Sequence, residues 1–170
     1  QVHPAILAEP TAIVSLDSLR AAVKLAASES SLAQPDPSRT LLWGASEGGF
    51  AALWSERYRP HYAPHFESLG VVAAIPPTNL LGLTQLAATH VSPSTAAIAG
   101  ILVGMDQWYQ QEGLAEVLNP DIAEALPVEL MEVCSDFPSA DGATTVEDFL
   151  DPEFAVSART EAWSEVLPWS

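Results

Sequence analysis

Apolar residues recur on one helical stripe from Thr11 to about Ala27, where Ile13, Leu16, Leu19, Val23 and Ala26 align while Asp17, Arg20 and Lys24 fall on another face. The pattern predicts an amphipathic helix with Thr11 as its N-cap. Ser28 to Ser38 loses that periodicity, carries Pro35 and Pro37 among polar residues, and reads as a loop. Thr40, Leu41, Leu42 and Trp43 form a short apolar run that stops at Gly44 and predicts a strand. From Glu47 to about Arg57 the pattern is helical again, with Phe50, Ala51, Leu53 and Trp54 available for a core face. Residues 58–68 break regularity at Pro60 and Pro64, which places His61 and His65 in a loop. Leu69 to Ile75 is a continuous apolar run of strand length, ended by Pro76 and Pro77. Two apolar strands joined through a helix predict a βαβ unit with both strands buried in a parallel sheet.

The character changes at Asn79. Helical stretches follow at about 79–89, 94–111, 112–118 and 120–132, with no comparable strand among them, and a short helix is predicted over Thr144–Leu150. The last twenty residues carry no assignable pattern. The fold class is therefore α/β, with residues 1–78 as part of the α/β core, 79–135 as a helical insertion and 136–170 as an acidic segment.

Composition narrows the function. With 170 residues, 48% of them apolar, the chain is long enough for one packed domain, too short for two full ones, and too apolar for disorder. Its net charge of −16 is uneven: 7 acids and 5 bases lie in residues 1–85, against 15 acids and one base, Arg159, in residues 86–170. Such a surface repels phosphate backbones and anionic lipids, which excludes nucleic acid as a partner. The acidic half reads as a solvated face in preference to a docking face for a cationic partner. Cys134, the single cysteine, cannot form a disulfide within the chain and reads as a small buried hydrophobe. The longest apolar run, Ala96–Met105, is about half of what a helix needs to span a bilayer, so no membrane span is expected. The chain begins without Met or a recognisable leader, consistent with a removed leader or a start inside a longer protein.

One motif carries chemistry. Gly44-Ala45-Ser46-Glu47-Gly48, followed by Gly49, matches G-x-S-x-G and stands between a predicted strand and a predicted helix. The bare pattern is weak; its position gives it weight. A serine there must turn sharply, and the glycines two before and two after it let neighbouring backbone approach. The turn would expose Ser46 Oγ as a nucleophile, and the Glu47 N–H at the helix start would face a developing oxyanion, provided the Glu47 carboxylate points to solvent. The alternative is a Gly-rich turn with an ordinary serine.

A serine nucleophile needs a base and a group that orients it. The histidines are His3, His61, His65 and His90, each more consistent with a structural or exposed role, and none follows position 90, where a hydrolase of this chain order would place its base. His61-x-x-x-His65 with Glu67 has a spacing seen among zinc ligands, but Pro64 breaks the helix that would align the two rings. Asp136, Asp141, Glu147, Asp148, Asp151 and Glu153 lack the regular spacing of a calcium loop and read as solvated surface. No metal and no cofactor is expected. Gly100 and Gly104 read as a helix packing face in preference to a mobile lid, and Trp43, Trp54, Trp108, Trp163 and Trp169 as core and rim packing.

The run SLDSLRAAVKLA, then LLWGASEGGFAALWSERYRPHYAP, then LGVVAAIPPTNL resembles the secretory lipase family of α/β-hydrolases over about residues 3–90. In that family a helix precedes the nucleophile strand, the turn reads G-x-S-x-G-G, a Tyr-Ala-Pro segment follows, and the next strand ends in a small-residue loop with proline. The resemblance implies a partial α/β-hydrolase sheet followed by a helical cap over the active site. It implies hydrolysis of small-molecule or lipid carboxylic esters through an acyl-enzyme on Ser46, with the Glu47 amide as one oxyanion donor, and a secreted or periplasmic location. The family's aspartate and histidine have no match here, so the triad acid and base are expected on a further segment or a second chain. The alternative is a non-catalytic α/β-hydrolase-like module that binds an apolar ligand or partner under its cap.

Overall fold

The computed structural model describes residues 4–110, 113–132, 139 and 141–160. The chain divides into two compact units, Ile6–Thr78 and a second made of Asn79 onward together with the N-terminal residues up to Ala5, where composition had suggested one domain.

In the first unit, helix α1 (Ala8–Ser28) leads through a loop to strand β1 (Thr40–Ala45), helix α2 (Glu47–Tyr62) and strand β2 (Ser68–Ala74). The strands pair in parallel, with Trp43 beside Val72, Gly44 beside Ala73 and Ala45 beside Ala74. This is the expected βαβ unit. Helix α2 packs on both strands, and α1 packs on α2. The α1 stripe is as the pattern predicts: Leu16 and Ala26 are buried and Ile13, Leu19 and Val23 half-buried. Leu16 joins Ala63 and Phe66 in a small core, with Tyr58 and Tyr62 against it. Arg20 bridges the Asp17 carboxylate and the Tyr62 carbonyl and lies 4.4 Å above the Tyr62 ring, while the Tyr62 hydroxyl donates to Asp17 at 3.0 Å.

Several expectations need correction. The N-cap of α1 is Leu7, not Thr11: Pro10 fits the first helical turn, where N–H groups lack partners anyway, so the helix starts at Ala8 and the Thr11 N–H already bonds the Leu7 carbonyl. Helix α2 runs through Pro60 to Tyr62, so His61 is helical. A proline near a helix end sacrifices one backbone bond, and Arg59 secures that end by donating to the Phe66 carbonyl at 2.9 Å and to Glu56. Phe50, Ala52 and Ser55 are the buried side of α2, whereas Leu53 is exposed. Among the described residues, the strands are covered on one face only. Leu41, Trp43 and Val72 share the other face and are exposed, Trp43 to 71%, so Trp43 is neither core nor rim packing in this chain.

The second unit is helical: α3 (Leu80–Ala87), α4 (Pro93–Tyr109), α5 (Leu114–Val117), α6 (Pro120–Glu132), a 3-10 turn at Val146–Asp148 and α7 (Pro152–Thr160). Asn79 caps α3 by accepting from the Gly82 N–H, and Ser92 and Thr95 form a capping box on α4 with Pro93 in its first turn. Ala99, Val103, Leu118, Ile122, Leu126, Phe149, Leu150 and Ala155 make its core. Leu118 and Leu150 form an antiparallel bridge, fixed by Asn119 N–H to Phe149 O at 3.0 Å and Asp151 N–H to Val117 O at 3.1 Å. The helix expected over Thr144–Leu150 is only the short 3-10 turn, because Asp148 folds back to accept from the Thr144 and Thr145 N–H groups, and α7 follows it. Cys134, Asp136, Trp163, Trp169 and His3 lie outside the described residues.

Candidate active site

Ser46 is the single residue between β1 and α2, at φ 53° and ψ −121°. Positive φ in a residue other than glycine is held only where the surroundings enforce it, at a cost of about 1–3 kcal/mol. Here the enforcing contacts come from both sides. The Ser46 N–H donates to the Ala74 carbonyl at 2.9 Å, which extends the β1–β2 ladder by one bond, and the Ser46 carbonyl accepts the Phe50 N–H at 3.1 Å, which opens α2.

A serine before a helix ordinarily turns its hydroxyl inward to cap the first turn. Ser46 makes no such side-chain bond, and the residue is exposed. Its backbone lies outside the extended region that capping uses. The Glu47 N–H belongs to the first turn of α2, whose amides have no partners within the helix. The Glu47 side chain is exposed, as a nearby oxyanion would require.

The glycines divide their roles differently from the sequence reading. A Cβ at Gly44 would lie 2.0 Å from the Gly48 carbonyl oxygen and 2.8 Å from the Gly49 nitrogen, so only glycine fits there. A Cβ at Gly48 would meet nothing within 4 Å; its backbone, not its missing side chain, is what crowds Gly44. The second close approach is at Gly49, where a Cβ would sit 3.0 Å from the Ala74 carbonyl oxygen and 3.4 Å from Pro76 Cβ. Ala74, Ile75 and Pro76 therefore belong to this site although the motif does not reach them. The prolines that end β2 were their only sequence signal.

No base is brought to Ser46 within this unit. Helix α2 rises about 1.5 Å per residue, so His61, near its far end, stands roughly 20 Å along the axis from Glu47. His65 follows that end and packs its ring 4.3 Å from the ring of Phe66. In the other unit His90 is exposed, and its carbonyl accepts from Thr95 Oγ1 at 3.0 Å. Near the far end of α2 the Arg59 guanidinium holds the Glu56 carboxyl below its ordinary range against a desolvation penalty, with a smaller contribution from Ser68. That pair secures the βαβ unit and is remote from Ser46.

A family model described as secretory lipase matches residues 8–139. The chain belongs to the secretory lipase family. The match runs from α1 through α6, well past the stretch to about residue 90 on which the sequence resemblance rested. A crystal structure from Legionella pneumophila subsp. pneumophila, described as that of a "putative hydrolase", superposes with a TM-score of 0.75 at 24% identity and covers 97% of this chain. At that identity the likeness establishes the fold. The chain spans 45% of the length of that protein. No curated protein matches. Among the described residues no three His, Cys, Asp or Glu side chains are grouped as a metal site, and no helix is long and apolar enough to cross a membrane.

Proposed function

We propose that this secretory lipase family chain is the nucleophile-bearing part of a serine hydrolase that cleaves carboxylic esters of small molecules or lipids. The observation that carries the reading is Ser46, exposed at φ 53° between a parallel strand and a helix it does not cap, with Gly44 and Gly49 admitting backbone that side chains would displace. In this reading the turn is a nucleophile elbow. Ser46 Oγ attacks the ester carbonyl carbon while a histidine base takes its proton, and the oxyanion is met by the Glu47 N–H with help from the α2 dipole. Collapse expels the alcohol, which receives the proton, and leaves the acyl group on Ser46. Water then hydrolyses that ester to release the acid and restore Ser46.

The triad histidine and acid come from polypeptide outside these 170 residues, on a further segment or a second chain. The family supports a secreted or periplasmic location. The test is the intact mass of the purified protein before and after a fluorophosphonate, with the modified peptide mapped. An adduct on Ser46, lost in Ser46→Ala, is expected, and any additional polypeptide supplying the base appears in the same spectrum.

One observation favours a second reading: His61 and His65 lie at the far end of α2. If the folded 170-residue chain takes no adduct, it is either a fragment separated from its base or a non-catalytic α/β-hydrolase-like module that binds an apolar ligand or partner.

A further inference from the structure

Ile75 is held in a conformation that its own chemistry opposes. It adopts φ 42°, in the left-handed region. A β-branched side chain is a genuine outlier there, and the following proline disfavours that backbone further. Burial does not offset the strain, because Ile75 is 82% exposed, the highest exposure among the large hydrophobic side chains described. Ile6, the other isoleucine at positive φ, is half-buried.

The residues on either side of Ile75 both meet the Ser46 turn. On one side of Ile75, the Ala74 carbonyl receives the Ser46 N–H at 2.9 Å. On the other, Pro76 packs towards the face of Gly49, where a Cβ would lie 3.4 Å from Pro76 Cβ. Residues 74 and 76 are thus both pinned to the elbow, and Ile75 is left between them with its side chain in solvent. Ala45 and Ala74 are the last paired residues of the two parallel strands, so Ser46 and Ile75 are the next residue on each, on strands about 4.8 Å apart. An apolar side chain is therefore presented on the same rim as the candidate nucleophile, at a conformational cost that its own packing within these 170 residues does not offset. Strain of this kind concentrates where a ligand is clamped or positioned.

We propose that Ile75 is a specificity-determining residue whose side chain forms an apolar wall for the hydrocarbon chain of the ester beside the carbonyl that Ser46 attacks. The proposal rests on the reading of Ser46 as a nucleophile. That chain belongs either to the acyl group or to the alcohol, and two substrate series separate them: p-nitrophenyl esters of increasing acyl length, and alkyl acetates of increasing alcohol length.

The test compares the full-length protein with Ile75→Gly, which accepts the left-handed backbone and removes the wall, and with Ile75→Asn, which tolerates that backbone and keeps side-chain bulk but is polar. In one of the series the ratio of kcat/KM for long-chain members to that for the shortest member is expected to fall about tenfold or more in both variants. Both variants retain the fluorophosphonate adduct on Ser46. Unchanged chain-length profiles in both series, with Ser46 still labelled, overturn the role of Ile75 alone. Failure of the parent protein to label at Ser46 overturns the nucleophile reading and the proposal with it.

Discussion

At the residue scale the turn makes opposite demands on two glycines that look equivalent in the motif. Gly44→Ala drives a methyl into the Gly48 carbonyl at 2.0 Å and is expected to cost about 2–3 kcal/mol. Gly48→Ala meets nothing within 4 Å and lies in a helix, where alanine is favoured, so it is expected to gain about 0.5 kcal/mol. Urea midpoints of the two variants check the contrast. Ser46 was legible in the sequence because strand, glycine and helix signals coincide there. The packing of Gly49 against Ala74 and Pro76, and the place of Ile75 between them, were not, because they depend on β2 lying beside the turn, a pairing made across 22 intervening residues between Ala45 and Ser68. The same scale sets an acid response. Glu56 has its carboxyl lowered by Arg59, so its stabilisation is fully present above its ordinary value of 4.5 and is lost as pH falls through the lower folded value. Glu56→Gln should flatten the decline in stability below that pH, read from urea midpoints across a pH series.

At the element scale periodicity located most helices and both strands, since burial of one stripe or one run is a local property of the chain. It failed where a side chain overrode the pattern. Pro60 suggested an end to α2, yet Arg59 holds the last turn in place. Asp148 converts the stretch expected to be helical into a 3-10 turn. Helix α4 offers two tests. Gly100 was read as a site of close helix approach, but an added Cβ would lie 3.6 Å from Leu130 Cδ2, an ordinary contact. Gly100→Ala should therefore raise stability by about 0.5–1 kcal/mol, measured by denaturation. Thr95 is fully buried, and its hydroxyl accepts the Ser92 N–H at 3.1 Å while facing the Ala87 and His90 carbonyls. Thr95→Val keeps the shape and strands those groups, at a cost of about 1–3 kcal/mol, with faster amide exchange at the start of α4.

At the scale of the whole molecule two surfaces stand out. The uncovered sheet face with Leu41, Trp43 and Val72 should bind a hydrophobic dye in the 170-residue polypeptide, and Leu41→Lys with Val72→Lys should reduce the signal, read by fluorescence. The residues from Asn79 onward hold 15 acids against one base, so raising salt from about 0.1 M to about 1 M should raise the melting temperature by screening that repulsion. The amino-acid sequence by itself determined the α/β class, the order of its elements, the acidic second half and the serine on which a hydrolase reading rests. Each of these is written in neighbouring residues, through side-chain period, turn chemistry and charge. Only the tertiary structure decided that one sheet face is bare, that Ser46 leaves its helix uncapped, which glycines are indispensable, and that Ile75 is strained beside the turn. Those facts arise from parallel pairing of distant strands, and pairing places residues together that no local pattern connects.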